Sequence, residues 1–267
     1  MSRTAPVLAL ALAALGAAAP AAAQERDRRD DCRGQYDSRR ATHCEVRELT
    51  LAARRLLEVD GRQNGGVSVE GWDRNEIRVR AKVVAHARTE GEARAIAERI
   101  QVDERGQTLR ADGPDDLGNR EGWSVSYEIM VPRTTDLELT AHNGGLSLVN
   151  VAGRVAMRTV NGGIKVAGAA GDVRGETSNG GISVELVGSS WEGRGLDLET
   201  SNGGVSITVP RGYSAVLETG TVNGGLDLGI PVTVQGRLDR RIRAELGRGG
   251  PTIRAMTTNG GVRVRES

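Results

Sequence analysis

Thr159-Val160-Asn161-Gly162-Gly163-Ile164-Lys165-Val166 is one of seven copies of the same corner, an Asn-Gly-Gly followed by an apolar, polar, apolar triplet. The other copies start at Asn64, Asn143, Asn179, Asn202, Asn223 and Asn259, with triplets such as Val67-Ser68-Val69, Ile182-Ser183-Val184 and Val262-Arg263-Val264. The interval is 18 residues from Asn143 to Asn161 and again to Asn179, then 23, 21 and finally 36, twice the first. Asn followed by Gly tolerates positive φ, where a chain turns sharply, and the alternating residues on either side give period-2 strands. Each unit therefore reads as strand, tight corner, strand.

Such units assemble either as a meander of ordinary hairpins or as a solenoid whose corners stack rung on rung at ~4.8 Å. Threonine stands two residues before the asparagine in five of the seven units, at Thr159, Thr177, Thr200, Thr221 and Thr257. Independent hairpins have no reason to repeat that residue, whereas stacked corners place it in a column whose members bond their neighbours. The expected fold is all-β, a right-handed parallel β-solenoid or β-helix with Asn-Gly-Gly corners and one amphipathic helix; the alternative is a stacked β-hairpin sandwich. Alternation places Leu137, Leu139, Leu146, Leu148, Val155, Met157, Ile164, Val166, Ile182, Val184, Leu196, Leu198, Val205, Ile207, Leu226 and Leu228 in the interior.

Four sections are expected along the chain. Residues 1–23 carry Arg3, an apolar run and Ala21-Ala22-Ala23, the pattern of a secretory signal peptide cleaved after Ala23. The exported product would then have no transmembrane segment and would be periplasmic, secreted or at the cell surface. Residues 24–48 form a charged arm with seven basic and seven acidic residues over Glu25 to Glu48, read as a flexible linker. Cys32 and Cys44 within it are expected to pair in an oxidising compartment. His43 beside Cys44 makes an incomplete metal site, so no metal or cofactor is expected.

Residues 49–133 read as a β section with a capping helix. Glu76 to Val83 alternates as a strand with a basic outer face, Gln107 to Ala111 and Trp123 to Val131 are strands, and Asp112 to Gly122 is the loop between them. Thr89 and Glu92 form a capping box ahead of the stripe Ala93, Ile96, Ala97 and Ile100, a helix expected to cover an open end or face of the solenoid. Residues 134–267 are the repeat section.

The first corner and helix, then Trp123-Ser124-Val125-Ser126-Tyr127-Glu128-Ile129-Met130-Val131-Pro132, then the close run of Asn-Gly-Gly units, resemble a bacterial family known as putative adhesins, also described as a β-strand-repeat domain of unknown function. The closing segments Gly229 to Val234 and Gly247 to Arg254 look like that family's tail. The resemblance covers roughly Leu49 to the C-terminus and implies a β-helical or β-solenoid envelope protein, in a family with no established catalytic residues. The arm with Cys32 and Cys44 departs from it.

Charge and composition narrow the function. Without Arg3 the chain has 35 basic and 35 acidic residues, so it exerts no general pull on nucleic acid. Aromatics are 2% and phenylalanine is absent, which removes the stacking platforms that sugar and single-strand binding usually need. Arg158, Glu176 and Glu199 each stand three residues before an asparagine, so stacking would align them in one outer column. That column reads as a solvated ladder, or as a cation site or the acid pair of a β-helix carbohydrate-active enzyme. The first expectation is a non-enzymatic envelope protein that offers its faces to a cell-wall polymer or an envelope protein. A partner in an envelope-stress system is the second, and the enzyme the last.

Overall fold

The structure, a computed structural model, describes Cys32 and residues 40–230, 233–234 and 241–267. The expected leader and most of the arm lie outside these residues. Period-2 alternation generates β1 (Ala41–Ala52), β2 (Leu56–Asp60), β3 (Val67–Trp72), β4 (Glu76–Ala87), β5 (Gln101–Arg105), β6 (Thr108–Asp112) and β7 (Gly122–Pro132), with α1 (Glu90–Arg99) between β4 and β5. The capping box forms as the sequence requires: Thr89 Oγ1 accepts from the Glu92 amide, and the Glu92 carboxylate accepts from the Thr89 amide.

The repeat section follows as β8 (Asp136–Ala141), β9 (Leu146–Val149), β10 (Arg154–Thr159), β11 (Ile164–Ala167), β12 (Asp172–Asn179), β13 (Ile182–Glu185), β14 (Gly195–Asn202) and β15 (Val205–Val209). It ends with β16 (Ala215–Asn223), β17 (Leu226–Gly229), β18 (Thr233–Val234), β19 (Arg241–Leu246), β20 (Thr252–Asn259) and β21 (Val262–Glu266). The protein is all-β around one described helix, in two large mixed sheets that do not close on each other.

The two strands flanking a corner do not bond each other. β10 pairs in parallel with β8 and β12, while β11 pairs in parallel with β9 and β13 in the other sheet. Each corner thus carries the chain from one sheet to the other, and the strand pair it joins is a rung. Eight rungs stack in the order β6/β7, β2/β3, β8/β9, β10/β11, β12/β13, β14/β15, β20/β21 and β16/β17, with parallel pairing at every step. Seven have an Asn-Gly-Gly corner; β6/β7 has the loop 113–121 instead.

The interior is mostly aliphatic, as alternation predicts, with Tyr127, Trp191 and Tyr213 also buried, and one apolar cluster runs from Leu57 to Val264 between the sheets. Each fully buried aliphatic side chain contributes roughly 1.5–3 kcal/mol. Leu226 and Leu228 are only half-buried, because β17 is the edge of its sheet and has a neighbour on one side alone.

Two features depart from the sequence reading. The last corner is not last in space: β20/β21 sits between β14/β15 and β16/β17, and the long interval before it holds β18 and β19, with β19 antiparallel on β16. The arm is not free chain up to residue 48, since β1 pairs antiparallel with β4 from Ala41 opposite Ala87 to Ala52 opposite Glu76. Its charges have local partners. The Arg47 guanidinium bonds the carbonyl of Ala97 at 2.9 Å and that of Ile100, satisfying the C-terminal end of α1. The same group bonds Glu45; burial alone would raise that carboxyl, but the bond and charge of Arg47, with His43 adding to them, outweigh it and hold it below the usual range. The helix lies across β4 and β1 and buries Ala93, Ile96 and Ala97.

Candidate functional site

The corners form one continuous face. Asn143 donates its side-chain Nδ2 to Oδ1 of Asn64 at 3.0 Å, Asn161 to Asn143 at 2.8 Å, and Asn179 to Asn161 at 2.9 Å. Asn202 then donates to Asn179 at 2.9 Å, Asn259 to Asn202 at 2.8 Å, and Asn223 to Asn259 at 2.8 Å. All six bonds point the same way, toward Asn64. Amide dipoles aligned in a chain polarise one another, so the ladder has a donor end at Asn64 and an acceptor end at Asn223.

Beneath it runs a column of buried threonines. Thr159, Thr177, Thr200 and Thr257 donate to the carbonyls of Gly144, Gly162, Gly180 and Gly203, each the first glycine of the neighbouring corner, at 2.7–2.8 Å. This is why threonine recurs two residues before the asparagine. Thr221, in the end rung, makes only a long 3.5 Å bond to Thr258.

The first glycine of each corner is required for a reason other than the expected positive φ. The seven asparagines are not in the left-handed region; among the described residues, the non-glycine residues that enter it are Arg62 and Asn150. A Cβ on Gly144, Gly162, Gly180 or Gly203 would stand 2.1 Å from the carbonyl oxygen of the first glycine in the adjacent corner. Rung-to-rung contact, not torsion, excludes a side chain there. The second glycines are looser and mostly solvent-exposed.

The two outer faces differ. On the sheet of β10, β12 and β14, Arg158, Glu176 and Glu199 are in register as neighbours. Glu199 is taken up by Arg254, which also bonds Asp197, while Arg158 and Glu176 make no ion pair among the described residues. Burial alone would lower the Arg254 guanidinium, but its bonds to Asp197 and Glu199 hold it above its usual value. The row beside it alternates in sign, Arg174, Asp197, Arg254, Glu218, Arg243, and closes on itself through the pairs Arg254–Asp197 and Arg243–Glu218.

On the opposite face, four of the seven outward positions in one row are serines. Ser68, Ser147, Lys165, Ser183, Ser206, Arg263 and Asp227 follow one another in register. Between this row and the asparagines lie the second glycines, and two shallow grooves of about 540 and 560 Å³ run along them, meeting at Gly181.

Cys32 and Cys44 are joined by a disulfide with Cα atoms 5.8 Å apart, tying the chain at Cys32 to β1. His86 lies on β4 and His142 directly after β8. Among the described residues, no three His, Cys, Asp or Glu side chains converge as metal ligands, and no helix is long and apolar enough to cross a membrane. The serine row and the glycine grooves were not singled out from the sequence, although the middle residue of every triplet encodes them.

The chain is thus an all-β protein built of stacked, asparagine-laddered corners. Neither a protein-family model nor a curated protein matches it. Solved structures similar to it include a putative cell adhesion protein from Clostridium sporogenes, 8% identical, with a TM-score of 0.45 over 84% of this chain and 100% of that one. A putative adhesin from Bacteroides fragilis is 13% identical, with a TM-score of 0.31 over 84% and 97% of the two chains. A putative lipid binding protein from Parabacteroides distasonis is 11% identical, with a TM-score of 0.31 over the same shares. The first two bear the adhesion name of the family that the sequence resembles.

Proposed function

We infer that this chain is an exported, non-enzymatic envelope protein whose stacked rungs form a β-solenoid that presents one flat face to a cell-wall polymer. In this reading residues 1–23 are a leader, residues 24–48 an arm anchored by the Cys32–Cys44 disulfide, residues 49–133 the capped start of the stack and residues 134–267 its repeats. The observation that carries it is the glycine and serine trough. Seven rungs repeat one hydroxyl-bearing or charged side chain and one bare glycine, over six spacings of ~4.8 Å, or about 29 Å. A polymer with hydroxyl and amide groups can lie in such a trough, meeting a bare glycine at each step and a serine hydroxyl at four of the seven, with Lys165 between the two serine pairs and the Arg263–Asp227 ion pair at the far end. The opposite face carries long charged side chains, several of them paired with one another, in place of serines and bare glycines.

The test is co-sedimentation of the purified protein with isolated cell-wall sacculi and with outer-envelope vesicles, at low and high salt. Saturable, salt-resistant binding to sacculi is expected, abolished when Ser183→Arg fills the trough and unchanged in Glu176→Gln on the other face. Binding to neither preparation would overturn the reading and shift the assignment to a protein partner, found next by crosslinking in the intact envelope.

A further inference from the structure

The rung β6/β7 is stacked on β2/β3 like any other, yet its corner is the loop 113–121. The position next along the ladder from Asn64, where a regular corner would place another asparagine, is consequently open. A cavity of about 240 Å³ lies there, just below the roughly 300 Å³ at which small-molecule sites begin. Its lining includes Arg62, Gln63 and Asn64 on the ladder side, Pro114, Asp115 and Leu117 from the loop, and Trp123, Ser124 and Tyr127 from β7.

Three observations specify the ligand. Asn64 accepts from Asn143 through Oδ1, and its own Nδ2, the terminal donor of six aligned amide bonds, has no partner among the described residues. The group that continues the series is an amide carbonyl oxygen, one strand spacing further on. Trp123 is half-buried, and its indole N–H is held by the Pro114 carbonyl at 3.0 Å, which fixes the ring in the cavity wall. It is one of only three tryptophans, placed where the sequence reading expected no stacking platform. Arg62 sits at a φ of 52°, a left-handed conformation uncommon away from glycine, and its guanidinium is committed to Asp112 at 2.9 Å. The wall therefore offers the amides of Gln63 and Asn64, the hydroxyl of Ser124 and the carboxylate of Asp115, and no free cation.

We propose that this cavity binds an N-acetylated amino sugar, its acetamido carbonyl accepting from Asn64 and its ring stacked on Trp123. The hydroxyls of the sugar would meet Gln63, Asp115 and Ser124. The site deepens the cell-wall reading and rests on it for its biological role, though not for its chemistry.

N-acetylglucosamine is titrated into the purified protein while the three indole N–H resonances are followed by NMR. The Trp123 resonance is expected to shift saturably, with Trp72 and Trp191 unmoved, and glucose, glucosamine and acetate to bind about ten-fold more weakly or less. Asn64→Asp keeps an acceptor for Asn143 but removes the donor, and should weaken binding about ten-fold with an unchanged melting temperature. Asn223→Asp at the other end of the ladder should bind normally. Equal affinity for glucose or for acetate, or an Asn64→Asp variant that binds like the parent, would overturn the site. Sacculus binding that persists in Asn64→Asp and is not competed by the monosaccharide would leave the trough reading standing and remove this one. Monosaccharide binding without sacculus binding would do the reverse.

Discussion

Two glycines in identical tripeptides have opposite tolerance, and the difference lies in what stands above them. A Cβ on Gly162 would meet the Gly144 carbonyl at 2.1 Å, backbone against backbone with no flexible end to move aside, whereas one on Gly225 meets nothing within 4 Å. Gly162→Ala is therefore expected to cost about 3 kcal/mol, the upper range for overpacking, and Gly225→Ala to stay within about 0.5 kcal/mol, both read from thermal melts. Equal effects would show that the corners do not stack this closely. The sequence showed that glycine was wanted at these positions but assigned the reason to torsion, because the letter reports only that a side chain is excluded. Tyr127 is a second case at this scale. It is 1% exposed, and its hydroxyl has no hydrogen-bond partner among the described residues. Burial, with Asp60 and Asp112 adding to it, pushes its phenol well above the usual value near 10. The unfolded chain then ionises this group from about pH 10 upward while the folded chain does not, so stability falls as pH rises past that point. Tyr127→Phe should be neutral or slightly stabilising at pH 7, and its alkaline decline should be shallower than the parent's.

At the level of elements, the segment that reads as an arm is the informative one. β1 looks like solvated linker because its charges alternate, yet Arg47 reaches across to the Ala97 and Ile100 carbonyls at the end of α1. Composition counts Arg47 as polarity; only the packed geometry shows it as the donor to the last carbonyls of the helix. The helix start, by contrast, was legible, because a capping box is local and both of its bonds are written within four residues. Arg47→Met keeps the aliphatic stem and removes the donors, so it should cost about 1.5–3 kcal/mol, the worth of hydrogen bonds from a charged group. Hydrogen exchange should quicken in α1 and β1 while the repeat strands β10 to β13 keep their protection. Uniform loosening of the whole chain would mean that the capped end and the repeats unfold as one unit.

Across the whole molecule, corners and interior were readable because each is a short pattern, but the order of the rungs was not. The corner at Asn259 and the corner at Asn223 carry the same letters, Thr-x-Asn-Gly-Gly, so nothing local says which of them stacks on Asn202. The structure places β20/β21 there, and pushes β16/β17 outward by one spacing. Only five residues, Pro210 to Ser214, join β15 to β16, so β16/β17 reaches the exposed edge of β14/β15 first as the chain folds. Because the two corners are alike, it can dock there in near-native register, and must then separate before the C-terminal rung enters. Non-local pairing of this kind is slow, and a similar competing contact turns it into a kinetic trap. Refolding of the full chain from urea should therefore show a fast phase and a slow one, the slow phase accelerated by low concentrations of denaturant that loosen the trapped contact. Removing residues 252–267 deletes the late arrival. The shortened chain should fold in the fast phase alone, with β16 amides still protected because β16/β17 now closes on β14/β15. A full chain that refolds in one phase would count against the trap, and a shortened chain whose β16 is unprotected would show that the end rung recognises β20/β21 by more than the repeated corner.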